Sequence, residues 1–295
     1  MDQKNFKSGF VSIVGKPNVG KSSLMNRLVG ENLSIITSKA QTTRHRIMGI
    51  LNGEDYQIVY SDTPGILEPK YSLHEAMMNY VKVSLEDADV ILLVVEFGDQ
   101  YDEKTYERIR RAGTPVILLI NKIDLAKAEQ VSVESAHWRQ AYPELHDIIP
   151  VSAVTGVNLD RILEAVKALL PIHPPFFPAD EFTDRTERFF ASEILREKIF
   201  LNYAEEIPYS CEVGITAFKE EPNIIRISAL IFVERDSQKG IVIGKAGSAL
   251  KKVGTEARKD MEAFFGKKIF LETQVKVAAN WRKEKARLKQ FGYYE

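Results

Sequence analysis

Gly15-Lys16-Pro17-Asn18-Val19-Gly20-Lys21-Ser22 follows an apolar run at Phe10–Val14 and opens a helical pattern starting near Lys21. This strand–loop–helix sequence is the pattern of a phosphate-binding loop. Its glycines let the chain turn so that backbone N–H groups face phosphate oxygens. Lys21 would reach the β- and γ-phosphates, and the Ser22 hydroxyl would bind Mg²⁺. Ser23 belongs to the same contact surface. The N-terminus of the helix adds its own positive end. A chance match in a glycine-containing turn would lack the strand before it and the helix after it.

Outward from this loop, Tyr56–Ser61, Val90–Val95, Val116–Ile120 and Ile148–Val151 read as further buried strands, with helical patterns between most of them. Short, continuously apolar strands alternating with helices predict an α/β domain, a mainly parallel sheet with helices on both faces. Arg46–Leu51 and Tyr56–Ser61, joined across Asn52-Gly53-Glu54-Asp55, predict a hairpin, so one strand should run antiparallel.

The ends of these strands carry polar motifs. Asn121-Lys122-Ile123-Asp124 follows Val116–Ile120 directly. Guanine presents N1–H and an exocyclic N–H₂ side by side, and adenine does not, so the Asp124 carboxylate is suited to select guanine by a bidentate contact. Lys122 would lay its stem over the base, and Asn121 would tie this loop to the first one. Asp62-Thr63-Pro64-Gly65 ends Tyr56–Ser61; Asp62 is suited to hold Mg²⁺, and the Gly65 N–H to sense the γ-phosphate. Val151-Ser152-Ala153 would bring backbone N–H groups near guanine O6. Within Gln41-Thr42-Thr43-Arg44-His45, a threonine hydroxyl, Thr43 in preference to Thr42, would complete the Mg²⁺ shell.

The chain has 295 residues, room for about two domains. Four prolines within eight residues, Pro171, Pro174, Pro175 and Pro178, predict a stiff linker. The expected division is therefore residues 1–172, a linker at 173–182, and a second domain at 183–295. Net charge is −1, yet residues 235–295 carry 15 Lys+Arg against 7 Asp+Glu. Such a basic stretch suits a polyanionic partner. The second domain reads as a helix (Thr186–Asn202), two strands (Cys211–Lys219, Ile224–Glu234), a Gly-rich turn, a helix through Phe265, a strand (Lys268–Val277) and a basic helix from about Asn280. No apolar run approaches the ~20 residues of a membrane helix. With one cysteine, Cys211, and no apolar leader in MDQKNFKSGF, a soluble cytoplasmic protein is expected.

Gly244-Lys245-Ala246-Gly247 lies between two helical segments, where N–H groups can approach a sugar-phosphate backbone unobstructed. Lys245, Lys251 and Lys252 add charge, and apolar Ile241 and Ile243 would floor a groove for unstacked bases. The tail Trp281–Lys289, a basic helix with aromatics at Trp281 and Phe291, would meet RNA phosphates or an acidic membrane surface.

Residues 8–170 resemble the translation-factor class of GTPases, which implies GTP and GDP as ligands and switch segments at about Ser34–Met48 and Asp62–Tyr80. One residue departs from the Ras-like pattern: Ile66 follows Gly65, where a glutamine would orient the attacking water. Slow unaided hydrolysis is expected. In related GTPases an asparagine at the Asn18 position helps hold a potassium ion beside the phosphates. The helix–strand–strand–helix–GxxG–helix–strand order resembles the type II KH fold, an α+β RNA-binding domain. Joined in one chain, with GKPNVGKS, QTTRH, DTPG, NKID, VSA and VIGKAGSAL, these features resemble the Era family of bacterial GTPases. The resemblance implies a monomer binding near the 3′ end of small-subunit (16S) ribosomal RNA, a role in 30S subunit assembly, and peripheral membrane contact. Two rivals are an ATP-driven enzyme acting on RNA, against which Asp124 argues, and a membrane-associated signalling GTPase whose C-terminal domain docks protein.

Overall fold

The computed structural model describes residues 5–99 and 103–294, so the first four residues of the opening stretch lie outside it. The chain divides into two units: one runs to Pro69 and resumes at Met77–Asp184, and the other comprises Lys70–Ala76 and Arg185 onward.

In the first unit, β1 (Lys7–Val14) feeds α1 (Lys21–Val29), followed by β2 (Ile47–Asn52) and β3 (Tyr56–Asp62). Helix α2 (Ser72–Glu86), whose first turn belongs to the second unit, precedes β4 (Val90–Glu96), α3 (Glu103–Arg110) and β5 (Val116–Asn121). Helix α4 (Ala128–Ala141), β6 (Asp147–Pro150) and α5 (Leu159–Leu169) complete it. The sheet order is β2-β3-β1-β4-β5-β6. Only the expected hairpin strand β2 is antiparallel. Strands β4 and β5 are buried along nearly their whole length because helices cover both faces, which is why they read as unbroken apolar runs. On one face Val14, Leu93, Leu118 and Ile148 pack with Tyr106, Ile109 and Trp138. A parallel sheet places the loop that follows each strand at the carboxyl edge, and that edge carries the nucleotide motifs of the sequence.

The proline-rich stretch, expected as a stiff linker, belongs to the first unit. It lies along the first unit, where it satisfies groups that β2 and β3 leave open. Gln57 accepts from the Phe176 and Phe177 N–H groups at 2.7 and 3.0 Å and donates back to Phe177 O. Ile50 N–H donates to Phe182 O, and Thr183 bridges to Gly49, so the chain covers the outer edge of β2. An uncovered edge strand would present unpaired backbone groups. The division between units consequently falls after Asp184, beyond residue 182.

The second unit contains α6 (Glu187–Asn202), a short α7 (Ile207–Ser210), β7 (Glu212–Glu220) and β8 (Ile224–Val233). Helices α8 (Asp236–Ile243) and α9 (Ser248–Phe265), strand β9 (Lys268–Val277) and α10 (Lys285–Gln290) follow. Its sheet is ordered β7-β8-β9, with β7 and β8 antiparallel and β8 and β9 parallel. Alternate residues of β8, from Ile225 to Val233, pack against Leu195, Ile199, Val253, Ala257 and Met261 of the helices. Cys211 lies buried just before β7.

The basic tail departs from the expected helix. Trp281 is fully buried, donates its indole N–H to Ser210 O at 2.8 Å, and meets Phe291 edge-on. Leu288 and Tyr293 are buried too, and the helix is six residues long, starting at Lys285. Trp281, read as part of a ligand surface, is core, and half-buried Phe291 packs on it: a Trp with a satisfied N–H contributes most when removed from water. Within the same unit the tail also bonds the start of α2, with Leu73 N–H donating to Arg282 O at 2.9 Å and Ser72 Oγ to Lys283 O at 3.0 Å. Among the described residues no helix is long and apolar enough to cross a membrane.

Candidate functional site

The loop after β1 turns on Gly20, whose φ of 95° lies in the left-handed region. A Cβ there would stand 2.3 Å from the Asn121 amide nitrogen, so glycine is required twice over, by torsion and by space. Asn18 also has positive φ, 65°, a conformation asparagine tolerates, and donates to Ser38 O at 3.1 Å. Lys16 pairs with Asp99 at 3.0 Å, a contact across about eighty residues that no spacing announced.

Lys21 is buried and donates to the carbonyls of Gly15 and Lys16 at 3.1 and 2.7 Å. Burial lowers its pKa to about 8, with nearby Asp62 opposing the shift. Asp62, at the end of β3, is fully buried, and burial pushes its carboxyl upward against the Ser22 hydrogen bond and the Lys21 charge. Ser22 Oγ donates to Asp62 Oδ2 at 2.6 Å and lies 2.9 Å from Thr43 Oγ1. Asp62 Oδ1 is buried with no hydrogen-bond partner. An unsatisfied buried carboxylate oxygen beside two hydroxyls is a hard-oxygen donor set of the kind Mg²⁺ takes. Thr42 is occupied elsewhere: its hydroxyl donates to Lys39 O at 2.7 Å and meets Thr37 Oγ1. Thr43, and not Thr42, is therefore the threonine beside Ser22 and Asp62.

The segment after β3 is fixed from both sides. Thr63 Oγ1 donates to Ile13 O, Pro64 and Gly65 are buried, and a Cβ on Gly65 would come within 2.7 Å of Pro17. The close approach that demands glycine is thus to the loop itself. Ile66 N–H donates to Gly15 O at 3.0 Å, while its side chain packs on the core beside Val81 and Ile109.

Asn121 joins three loops: its Nδ2 donates to Val19 O at 2.8 Å and its Oδ1 accepts from Ala153 N–H at 3.0 Å. Ser152 Oγ donates to Asp124 Oδ1 at 2.5 Å, which orients the exposed carboxylate. Lys122 pairs with Glu96 at 2.6 Å, and Ile123 leans on the core of the first unit. The amides expected at guanine O6 are engaged within the protein, Ser152 N–H with Val157 O and Ala153 N–H with Asn121. This segment acts first as a brace. Together the loops enclose a cavity of about 450 Å³ lined by Asn18, Lys21, Ser22, Thr43, Gly65 and Lys122, among others.

In the second unit, Gly244 (φ 72°), Ala246 (φ 50°) and Gly247 (φ 78°) form a tight turn between α8 and α9. A Cβ on Gly244 would lie 2.6 Å from that of Ala249, so the turn packs flush against α9. Lys245, Ala246, Lys251 and Lys252 are exposed, as is Ile241, while Ile243 packs partly into the core. The result is a bare backbone turn at the head of an 18-residue helix with no acidic residue in its first turn.

Comparison with known proteins matches residues 10–122 to a family described as 50S ribosome-binding GTPase and residues 206–282 to the KH domain. GTPase Era of Syntrophus aciditrophicus is 48% identical, over 98% of this chain and 96% of that protein. A crystal structure of Era in complex with MgGDPNP and nucleotides 1506–1542 of 16S ribosomal RNA superposes with a TM-score of 0.95, at 42% identity, covering 98% of this chain and 100% of that one. A variant of Aquifex aeolicus Era bound to GDP and aluminium fluoride matches with the same TM-score and coverage, at 41% identity.

The lowered Lys21 pKa has a measurable consequence. Anionic phosphates favour the ammonium, so the bound-state pKa lies above the free value of about 8. Affinity for GDP is then full below that pH and declines as pH rises through it. Calorimetry at pH 8.5 in two buffers of different ionisation enthalpy should show uptake of roughly half a proton or more per nucleotide. No uptake would place Lys21 away from the phosphates.

Proposed function

The chain belongs to the Era family of GTPases, and from that premise we propose that it is a nucleotide switch that binds the 3′ region of small-subunit ribosomal RNA and assists 30S assembly and rRNA maturation. The observation that carries the reading is the joining, in one chain, of a guanine-nucleotide cavity and a bare GxxG turn. The family description that mentions the 50S subunit covers only residues 10–122, whereas the likeness to the Era–16S rRNA complex runs over 98% of the chain.

In this reading the N–H groups of residues 15–23 hold the GTP phosphates, with the Lys21 charge between them. Ser22, Thr43 and Asp62 hold Mg²⁺, which neutralises charge on the phosphates. Asp124, oriented by Ser152, accepts the two guanine hydrogens, and Lys122, steadied by Glu96, covers the base. Gly65 meets the γ-phosphate through its N–H. Ile66 has no hydrogen-bonding side chain, so hydrolysis without a partner is slow.

Potassium is the second part of the proposal. Asn18 gives its Nδ2 to Ser38 O, so its Oδ1, and the Ser38 carbonyl once that hydrogen bond opens, would be the oxygen ligands for the cation. RNA would enter at Gly244–Gly247, its backbone against the α9 N-terminus, its charge met by Lys245, Lys251 and Lys252, and its bases near Ile241 and Ile243. The protein would act as a cytoplasmic monomer. Peripheral membrane contact draws no support from Trp281, which is buried.

Two outcomes are expected. Replacing Lys245 and Ala246 together by aspartate should lower affinity for a 16S 3′-end fragment by about tenfold or more, most at low salt. Aspartate tolerates the positive φ at 246, so folding and GDP binding should survive. Unchanged RNA affinity would point instead to a protein-docking domain. Separately, GTP turnover should rise when potassium replaces sodium, and Asn18→Gly, which keeps the backbone conformation, should abolish the difference. Equal rates in both salts for the parent protein would remove potassium from the account.

A further inference from the structure

Ile66 follows Gly65, which lines the nucleotide cavity, but turns away from it and leaves a chemical role open there. Its side chain packs on the core beside Val81 and Ile109, and its N–H is given to Gly15 O. Water attacking phosphorus is aligned by a group that accepts a water hydrogen while donating to a phosphate oxygen, a combination that one carboxamide supplies.

Two carboxamides are among the side chains lining the cavity, Asn18 and Gln41. Asn18 belongs to the phosphate loop and gives its Nδ2 to Ser38 O. Gln41 comes from the loop opposite, two residues before Thr43, the threonine whose hydroxyl lies 2.9 Å from Ser22 Oγ. It lines the same cavity as Ser22, Thr43 and Gly65, and its segment supplies the threonine of the proposed metal site. Its backbone is held at φ 60°, in the left-handed region that favours glycine, asparagine or aspartate. The neighbouring Thr42 hydroxyl, bonded to Lys39 O and Thr37 Oγ1, fixes the turn that imposes this conformation. A long side chain at a torsion better served by glycine, and half-buried in the cavity wall, is the kind of local strain that accumulates at functional sites.

We propose that Gln41 positions the attacking water, taking the part that the residue after Gly65 plays in Ras-like GTPases. The inference rests on the GTPase reading given above. In the step it serves, the water oxygen bonds to the γ-phosphorus and the bridging P–O bond breaks. Its electron pair leaves with GDP, and the water proton passes to the released phosphate. Gln41 exchanges no proton; it fixes the line of attack.

The test uses the full chain with Mg²⁺ and potassium, measuring single-turnover GTP hydrolysis and, in parallel, affinity for a fluorescent GTP analogue. Gln41→Gly removes the amide and suits φ 60°, so it should fold and bind nucleotide within about twofold of the parent. Its hydrolysis rate should fall by about 10²-fold, the typical loss of one transition-state contact. Gln41→Glu should add a limb to the pH–rate profile in the carboxylate range, which a purely structural residue would not do. A Gln41→Gly variant that hydrolyses GTP at the parental rate, or that loses rate only in proportion to GTP affinity, overturns the proposal. A Gln41→Glu profile superimposable on the parent's does the same. A parent protein that does not hydrolyse GTP at all would instead refute the underlying reading.

Discussion

One side-chain amide holds the nucleotide half together. Asn121 donates to the Val19 carbonyl and accepts from the Ala153 N–H, so the loops after β1, β5 and β6 move as one body. Gly20 lies directly beneath that amide, and no residue with a Cβ fits there. Because β1, β4, β5 and β6 run parallel, the fold delivers these loops to one edge, and Asn121 then sets their spacing. Lys21, in the first loop, and Asp124, in the loop after β5, are consequently fixed relative to each other. Preorganisation of this kind reduces the ordering cost of binding.

The phosphate end is built at a cost to local stability. A lysine and an aspartate are both fully withdrawn from water, and each has its pKa pushed toward its neutral form. Two carbonyls and one serine hydroxyl offset part of that cost. A buried cation lined up with an unsatisfied carboxylate oxygen makes poor sense as core architecture and good sense as a receptor for phosphate and a divalent ion. The second unit follows the opposite logic. Its core is apolar, its Trp281 and Tyr293 have satisfied polar tips, and its chemistry lies on an exposed backbone turn.

What was legible in the sequence follows the range of the interactions involved. The P-loop, the strand ends and the GxxG turn are local patterns in which torsion and spacing lie within ten residues. Strand β9 runs over Lys268–Val277, as expected, and the hairpin of β2 and β3 pairs antiparallel. The tie from Asn121 to the first loop was legible from its motif, but long-range pairings outside the motifs were not. Lys16 with Asp99, Lys122 with Glu96, and Gln57 with the Phe177 backbone join positions 26 to 120 residues apart, and no periodicity marks them. The same reason explains the two corrected segments. The proline-rich stretch looked like a spacer because its partners on β2 and β3 are remote. The tail looked like a ligand surface because Ser210, which accepts the Trp281 N–H, lies 71 residues away.

In the proposed function, Asp124 and the loops that Asn121 braces read guanine specifically. A calorimetric titration with GDP and ADP, each with Mg²⁺, tests it most directly. A site that meets adenine's ring with an unmatched carboxylate should bind ADP about a hundredfold or more weaker than GDP. Comparable affinities for the two nucleotides would contradict the account.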